Sequence, residues 1–143
     1  MAITSAICNS FKQEILEAEH NFTASTGDTF NLALYDSDAT LSKSTTAYTT
    51  SEELATTGGY TAKGKALTSV TPVLDSDTAV CDFANISWTS ASFTARGCLI
   101  FNDDNSDTSV CAIDFGGDKT VTSGTFTVEF PAPAASTAII RIA

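Results

Sequence analysis

Histidine, arginine and tryptophan are almost missing from this chain of 143 residues, which has one His, two Arg and one Trp. Basic residues number only 7 against 17 acidic ones, so the formal net charge is −10. A surface of that charge repels phosphate backbones and anionic lipid headgroups. We therefore expect neither nucleic acid nor a membrane among the direct partners.

Long apolar runs are also missing. No stretch approaches the roughly 18 apolar residues that a membrane-spanning helix requires. The first five residues, MAITS, lack the basic start and the apolar run of a secretory signal peptide. We expect the chain to be made in a cytoplasm.

The four cysteines are Cys8, Cys81, Cys98 and Cys111, and they form no CxxC pair. That spacing, without neighbouring histidines, argues against a zinc site. Free cysteines commonly behave as small buried apolar residues, and we interpret these four in that way. The alternative is a disulfide between Cys98 and Cys111 on adjacent predicted strands, which a cytoplasm would keep reduced.

Few residues in this sequence are candidates for catalysis. His20 stands beside Glu19 without a Ser or Cys nucleophile in a recognisable elbow, so we predict a structural role for it. An enzyme would need a pocket that gathers His20 with two carboxylates. We predict no catalytic residue, no cofactor and no enzymatic activity.

Three short acidic clusters offer oxygen ligands of the kind that Ca²⁺ prefers. They are Asp36 with Asp38, Asp75 with Asp77, and Asp103 with Asp104 and Asp107. None continues into the glycine and distal glutamate of an EF-hand loop. Because Asp and Asn are common at turns, we predict solvated hairpin tips and no metal site.

The first segment has helical periodicity. Apolar residues recur at three- and four-residue spacing, at Ile7, Phe11, Ile15, Ala18 and Phe22. This pattern predicts an amphipathic helix over residues 5–22, capped by Thr4 or Ser5. Such a helix packs on its own sheet or docks on another subunit, and the pattern leaves both open.

Alternating periodicity follows from about Thr29. Strands are predicted at residues 29–35, 65–71, 78–83, 86–89, 93–101, 109–115, 124–130 and 137–142, with a weak one near 47–50. Turn signals separate them, among them Gly116-Gly117-Asp118. Residues 41–59, rich in Ser and Thr, are predicted to form a long surface excursion.

This spacing predicts one domain, residues 1–143, that is mainly β. Seven or eight short strands at intervals of about ten residues favour an antiparallel β-sandwich of the jelly-roll kind over residues 29–143. One N-terminal helix precedes it. A chain of this length buries enough surface to fold without a metal or a disulfide.

Three stretches carry a family resemblance. Residues 53–67, ELATTGGYTAKGKAL, resemble the E…GxGYxxGGxxL stretch of small virion proteins encoded among the head and tail genes of tailed bacteriophages. Residues 87–102 and 114–119 resemble the same group, as do the opening FKQEIL and the closing IIRI. The chain is most similar to their jelly-roll cement, or decoration, proteins. It departs from the pattern at Thr57 and Lys63, where the family has glycine.

The resemblance implies a cement protein on the capsid exterior of a virion, which stabilises the assembled shell against the pressure of packaged DNA. Its implied partners are the major capsid protein and further copies of itself, as a dimer or trimer. Candidate interface residues are Phe11 in the first helix, Tyr48 and Tyr60 in or next to the excursion, and Arg96. Arg96 suits a buried or interfacial carboxylate pair, and Gly97 beside it indicates a bulge or a close backbone approach.

Two other functions remain open. The first is a structural component of the phage tail, baseplate or fibre. The second is a carbohydrate-binding adhesion module, in which Trp88, Tyr35, Tyr48 or Tyr60 would stack on sugar rings.

Overall fold

The computed structural model describes residues 2–143, which form one short helix and eight strands. The helix α1 spans Asn9–Leu16. The strands are β1 Ala6–Ile7, β2 Phe30–Tyr35, β3 Lys65–Ala66, β4 Ser69–Asp75, β5 Thr78–Phe83, β6 Ile86–Asn102, β7 Thr108–Val128 and β8 Ile140–Ile142. The mainly β class with one N-terminal helix is confirmed.

The strands form two antiparallel sheets. The larger sheet has the order β1-β7-β6-β2-β3, and the smaller sheet has the order β4-β5-β8. In the larger sheet, β2 pairs with β6 from Phe30 opposite Asn102 to Tyr35 opposite Gly97. The arrangement is consistent with the predicted β-sandwich.

Strand β2 is buried on both faces, so the larger sheet is covered twice. On one face Leu32 and Leu34 join a cluster that includes Phe11 of α1 and Phe83 of the smaller sheet. On the other face lies a second cluster. It contains Ile3, Ala33, Tyr35, Ala39, Leu41, Leu99, Phe101 and Ala112. The excursion therefore serves as a cover, and the strand expected within it is a single bridge from Ala47 to Thr108.

The helix is shorter than its periodicity predicts. Ile7 lies in β1 opposite Cys111, and the chain leaves α1 at Glu17, followed by Ala18 with a φ of 61°. No side chain caps the helix start, so the predicted cap by Thr4 or Ser5 is wrong. Phe22 lies beyond the helix but returns to Phe11, with ring centroids 5.9 Å apart. The spacing of apolar residues therefore reflects a shared core.

Four predicted strands are joined into two long ones. Residues 86–89 and 93–101 belong to β6, and 109–115 and most of 124–130 belong to β7. The Gly116-Gly117-Asp118 signal marks a bulge, because the register shifts between Ala95 opposite Lys119 and Gly97 opposite Asp114. Gly116 takes a φ of 78° there. The predicted strand at 65–71 is divided between β3 and β4.

The prediction of a close backbone approach at Gly97 is confirmed. A Cβ atom at this position would lie 2.5 Å from the Ile113 carbonyl oxygen and 2.8 Å from the Ile3 side chain. Only glycine leaves room for both neighbours.

All four cysteines are free and buried, as predicted. Cys98 lies opposite Ile113 and Cys111 lies opposite Ile100, so the two thiols are not cross-strand partners. Burial raises the pKa of each thiol, to about 12 for Cys81 and Cys111. These cysteines act as small core residues.

Asp82 in β5 is a carboxylate that is only 1% exposed. One oxygen accepts the N–H of Phe83 at 2.9 Å, and the other makes no hydrogen bond within the described chain. Burial raises the pKa of this carboxyl, and the nearby N–H groups of Phe83 and Ile139 offset that effect only in part. Ionised Asp82 therefore opposes folding.

We expect Asp82→Asn to stabilise the protein at pH 7 by about 1 kcal/mol, since it removes a buried charge. The gain should shrink as the pH falls through the raised folded-state pKa toward the unfolded value of about 3.9, because wild-type Asp82 then becomes neutral. Denaturant titrations across this range measure it. Asp77→Asn, at an exposed position in the same hairpin, is the matched control. Equal stability of Asp82→Asn and wild type at pH 7 would contradict the argument.

Candidate interaction surface

The large apolar side chains that are well exposed within residues 2–143 all belong to three elements, α1, β4 and β8. They are Leu16 (88% exposed), Val70 (37%), Val73 (52%), Leu74 (74%) and Ile142 (59%). Leu16 ends α1, the next three belong to β4, and Ile142 belongs to β8. We call these five residues the apolar end. Contiguous exposed apolar surface commonly marks an interaction site.

The smaller sheet explains this exposure. Both of its outer strands are edges, and β4 has no residue that is fully buried. Val73 and Leu74 are neighbours in the strand, so their side chains point to opposite faces, and both faces are open. Pro72 and a register shift between Val70 and Val73 interrupt the backbone edge. The strand therefore offers side chains to a partner, whereas its backbone is a poor template for pairing.

A groove of about 420 Å³ lies between α1 and the smaller sheet. Its lining residues are mostly apolar: Ile7, Phe11, Lys12, Ile15, Leu16, Phe22, Pro72, Ala79, Val80, Cys81, Ile140, Arg141 and Ile142. Leu16 and Ile142 of the apolar end form part of its wall. Val70, Val73 and Leu74 lie outside this lining.

A second groove of about 610 Å³ follows β7 and the segment after it. Phe115, Phe126 and Phe130 line it, but each is half-buried and packs against the core. It lacks the strongly exposed apolar side chains of the first groove. The first groove is therefore the better candidate for docking.

The four predicted interface residues do not form this surface. Phe11 and Tyr60 are only 4% and 2% exposed, so both rings belong to the core. Tyr48 is half-buried against Phe101, with ring centroids 4.9 Å apart. Arg96 pairs within the chain, with Asp114 at 3.4 Å and Asp118 at 3.2 Å. Of the four, only Phe11 lines the groove, at its floor.

Tyr48 and Tyr60 instead meet at Glu53. The Glu53 carboxylate accepts hydrogen bonds from the Tyr48 hydroxyl at 2.5 Å, the Tyr60 hydroxyl at 2.7 Å and the Lys63 N–H at 2.7 Å. The Tyr60 hydroxyl in turn accepts the Leu34 N–H at 3.0 Å. Burial, followed by the bond to Glu53, raises the pKa of Tyr48 to about 12 and that of Tyr60 further. Glu53 thus fastens the excursion to β2.

Lys63 completes this network. Its φ is 69°, so the turn keeps the left-handed conformation that glycine favours. Its Nζ lies 3.1 Å from Asp103 and 2.9 Å from Asp107 at the β6–β7 tip. Gly64 follows directly, and a Cβ there would lie 1.8 Å from the Leu32 carbonyl oxygen. Position 63 therefore has a left-handed backbone, and its lysine side chain adds two ion pairs.

His20 is also part of a network that the sequence did not reveal. Its Nε2 donates to Glu14 at 2.7 Å, and its Nδ1 accepts from Asn102 at 3.1 Å, 82 residues away. Asn102 donates to Asp28 at 2.8 Å, so two carboxylates do approach His20, one directly and one through the amide. The His20 side chain is 0% exposed and lines none of the grooves described. The network links α1 to the larger sheet.

One predicted acidic cluster is enlarged in the structure. Carboxylate oxygens of Asp36, Asp38 and Glu52 lie within 4.8 Å of one another, and Glu52 was not part of the predicted set. All three are at least partly exposed. They offer the hard oxygen ligands that Ca²⁺ accepts.

Three of the four rings proposed for sugar stacking are buried, and Tyr48 is half-buried. Trp88 is 3% exposed, and Tyr35 is 0% exposed. Trp88 packs against Tyr60 and Phe126 in the core. Of the rings named for carbohydrate stacking, Tyr48 is therefore the one that reaches the surface in part.

Comparisons with known proteins add no assignment. No protein-family model, curated protein or solved structure matches this chain. Within residues 2–143, no helix has the length and apolarity needed to cross a bilayer.

We expect Glu53→Ala to destabilise the protein by about 3 kcal/mol, because it leaves three buried or half-buried donors without their acceptor. Glu129→Ala, at an exposed position after β7, should change stability by less than about 0.5 kcal/mol. Denaturant unfolding of the two variants measures the difference. Similar stabilities would show that Glu53 does not fasten the excursion.

Proposed function

We propose that this chain is a non-enzymatic cement protein of a tailed bacteriophage. In this proposal it docks through its apolar end on the outer surface of the assembled capsid. The observation that carries the proposal is that the strongly exposed large apolar side chains of residues 2–143 belong to α1, β4 and β8, and that two of them, Leu16 and Ile142, form the wall of an apolar groove. A surface of this kind suits adhesion to another protein.

The stabilisation follows from mass action. A protein that binds only the assembled state favours it by RT ln(1 + [L]/Kd), where [L] is its free concentration. A copy that bridges several capsid subunits also gains from multivalency. The net charge of −10 supports an exterior position, because the interior is filled with DNA phosphates. Self-association as dimers or trimers belongs to the same proposal.

We expect the double variant Leu16→Asp/Leu74→Asp to stay folded and to lose binding to capsids. Both side chains are largely solvent-exposed, so folding depends little on them, whereas an apolar interface would have to bury two charges. Co-sedimentation with particles that lack the protein measures binding. Thr127→Asp, exposed on β7, is the control and should bind like wild type.

The capsid role itself is tested with particles assembled with and without the protein. We expect particles without it to lose their DNA at lower temperature and lower pressure, and wild-type protein to restore resistance. Equal resistance in both preparations would refute the cement function. Imaging the particles distinguishes a cement protein from a tail component. A regular array over the shell fits cement, whereas a few copies at one vertex would assign the protein to the tail or baseplate.

A further inference from the structure

One edge of the larger sheet is long and has no neighbouring strand over most of its length. Strand β7 spans Thr108–Val128, and the two-residue β1 pairs with it only at Cys111 and Ala112. Within residues 2–143, no strand or isolated bridge pairs with this outer edge beyond Ala112. The backbone of residues 113–128 therefore has hydrogen-bonding groups on that side without a partner strand.

The last ten residues of β7, KTVTSGTFTV at positions 119–128, have the composition of a strand, and we call them the free edge. Thr, Val and Phe favour strands, and Lys119 is the one charged residue among the ten. Exposed edges are commonly protected by charges, by proline or by shortness. The smaller sheet has such protection, in Pro72 of β4 and the three residues of β8. The free edge has a bulge at Ser123, where φ is 47°, but is otherwise suited to pairing.

The side chains of the free edge form two rows. Val121, Phe126 and Val128 are half-buried, pack against the core and line the second groove. The threonines between them are exposed: Thr120, Thr122, Thr125 and Thr127. Because side chains alternate along a strand, a strand added at this edge would place every second side chain over the second groove.

We propose that the free edges of two copies pair antiparallel about a two-fold axis between Ser123 and Gly124. The pairing would join the two larger sheets into one continuous sheet. An isologous contact of this kind uses the same segment of both copies. The inference rests on the self-association included in the proposed function and names the surface that forms it.

The sequence of the free edge is complementary to itself in this register. Val121 of one copy lies opposite Phe126 of the other, and both belong to the row that lines the groove. Thr120 lies opposite Thr127 in the exposed row. Pairs of β-branched with aromatic residues and pairs of threonines are favourable neighbours across an antiparallel ladder. Each copy would thus cover part of the other's second groove.

Charge is compatible with this contact although each copy has a net charge of −10. Residues 120–128 are uncharged, and the two Lys119 side chains would stand roughly 30 Å apart at opposite ends of the ladder, beyond the Debye length of about 8 Å. Each Lys119 would lie within one residue of Glu129 of the other copy. The next pair would set Asp118 against Glu129, but Arg96 already pairs with Asp118 at 3.2 Å.

The size of the contact fits a closed dimer. Ten residue pairs form up to about ten backbone hydrogen bonds, which is the number in a typical protein–protein interface. The opposite edge of the larger sheet is β3, which has only two residues. Each copy therefore has one long edge of this sheet to pair, and the assembly ends at two copies.

Two double variants test the register. Thr120→Lys/Thr127→Lys sets like charges opposite each other, and Thr120→Glu/Thr127→Glu does the same with the other sign. We expect wild type to sediment as a dimer, the dissociation constant of each variant dimer to rise at least about tenfold, and an equimolar mixture of the two variants to form a heterodimer. The control Thr89→Lys/Thr94→Lys makes the same charge change at exposed positions of the adjacent β6 and should dimerise like wild type.

Hydrogen exchange of the wild-type protein is a second measurement that needs no variant. We expect the amides of residues 119–128 to exchange more slowly as the protein concentration rises, because the ladder protects them. The inference is overturned if wild type stays monomeric or forms trimers, if the like-charge variants dimerise as wild type does, or if their mixture stays monomeric. Protection of the free edge only by an added strand of another protein would assign the edge to that protein and would also overturn it.

Capsid binding separates this inference from the proposed function. The threonine variants, Thr127→Asp included, keep the apolar end unchanged, so we expect them to co-sediment with capsids whether or not they dimerise. Wild-type protein that dimerises but does not bind capsids would refute the capsid role alone. Wild-type protein that binds capsids but shows no dimer in solution would refute this inference alone.

Discussion

Burial of β2 on both faces is the constraint on which the rest of the structure depends. Leu32 and Leu34 face one cluster, and Ala33 and Tyr35 face the other, all of them at 0% exposure. A sheet with two apolar faces is stable in water only when both are covered. The polypeptide must therefore supply two covers from the segments around the larger sheet.

The two covers are unequal, and the candidate docking surface follows from that inequality. The excursion packs Leu41 and Tyr48 on its face, and the Glu53 carboxylate holds it by accepting hydrogen bonds from Tyr48, Tyr60 and the Lys63 N–H. The other cover consists of an eight-residue helix and a three-stranded sheet whose outer strands have no neighbour. It closes the core over Phe11 and Phe83 but leaves its own rim apolar. The exposed apolar side chains therefore lie on α1, β4 and β8, where no further layer of the chain packs on them.

Local patterns in the sequence predicted the β class, the strand at β5 and the core role of the cysteines, because alternation and residue type report which face is buried. These patterns failed where contacts between distant segments of the chain determine the position of a side chain. Phe22 continues the helical spacing of Phe11 only because both rings enter the same core. Tyr60 is held in the core by hydrogen bonds with Glu53 and the Leu34 N–H. His20 is held there by a hydrogen bond with Asn102, which is 82 residues away. No periodicity in the sequence encodes such pairings, so the sequence alone does not show that the Phe11 and Tyr60 rings are buried or which apolar side chains are exposed.

The interrupted edge of β4 matters most if many copies stand side by side. Where copies are crowded together, a long unbroken edge strand can pair with the edge strands of its neighbours and form a continuous fibril-like sheet. Pro72 lacks the amide hydrogen that such growth requires, and β8 at the opposite edge has three residues. Each copy can therefore hold a separate place at high local density without polymerising through this sheet.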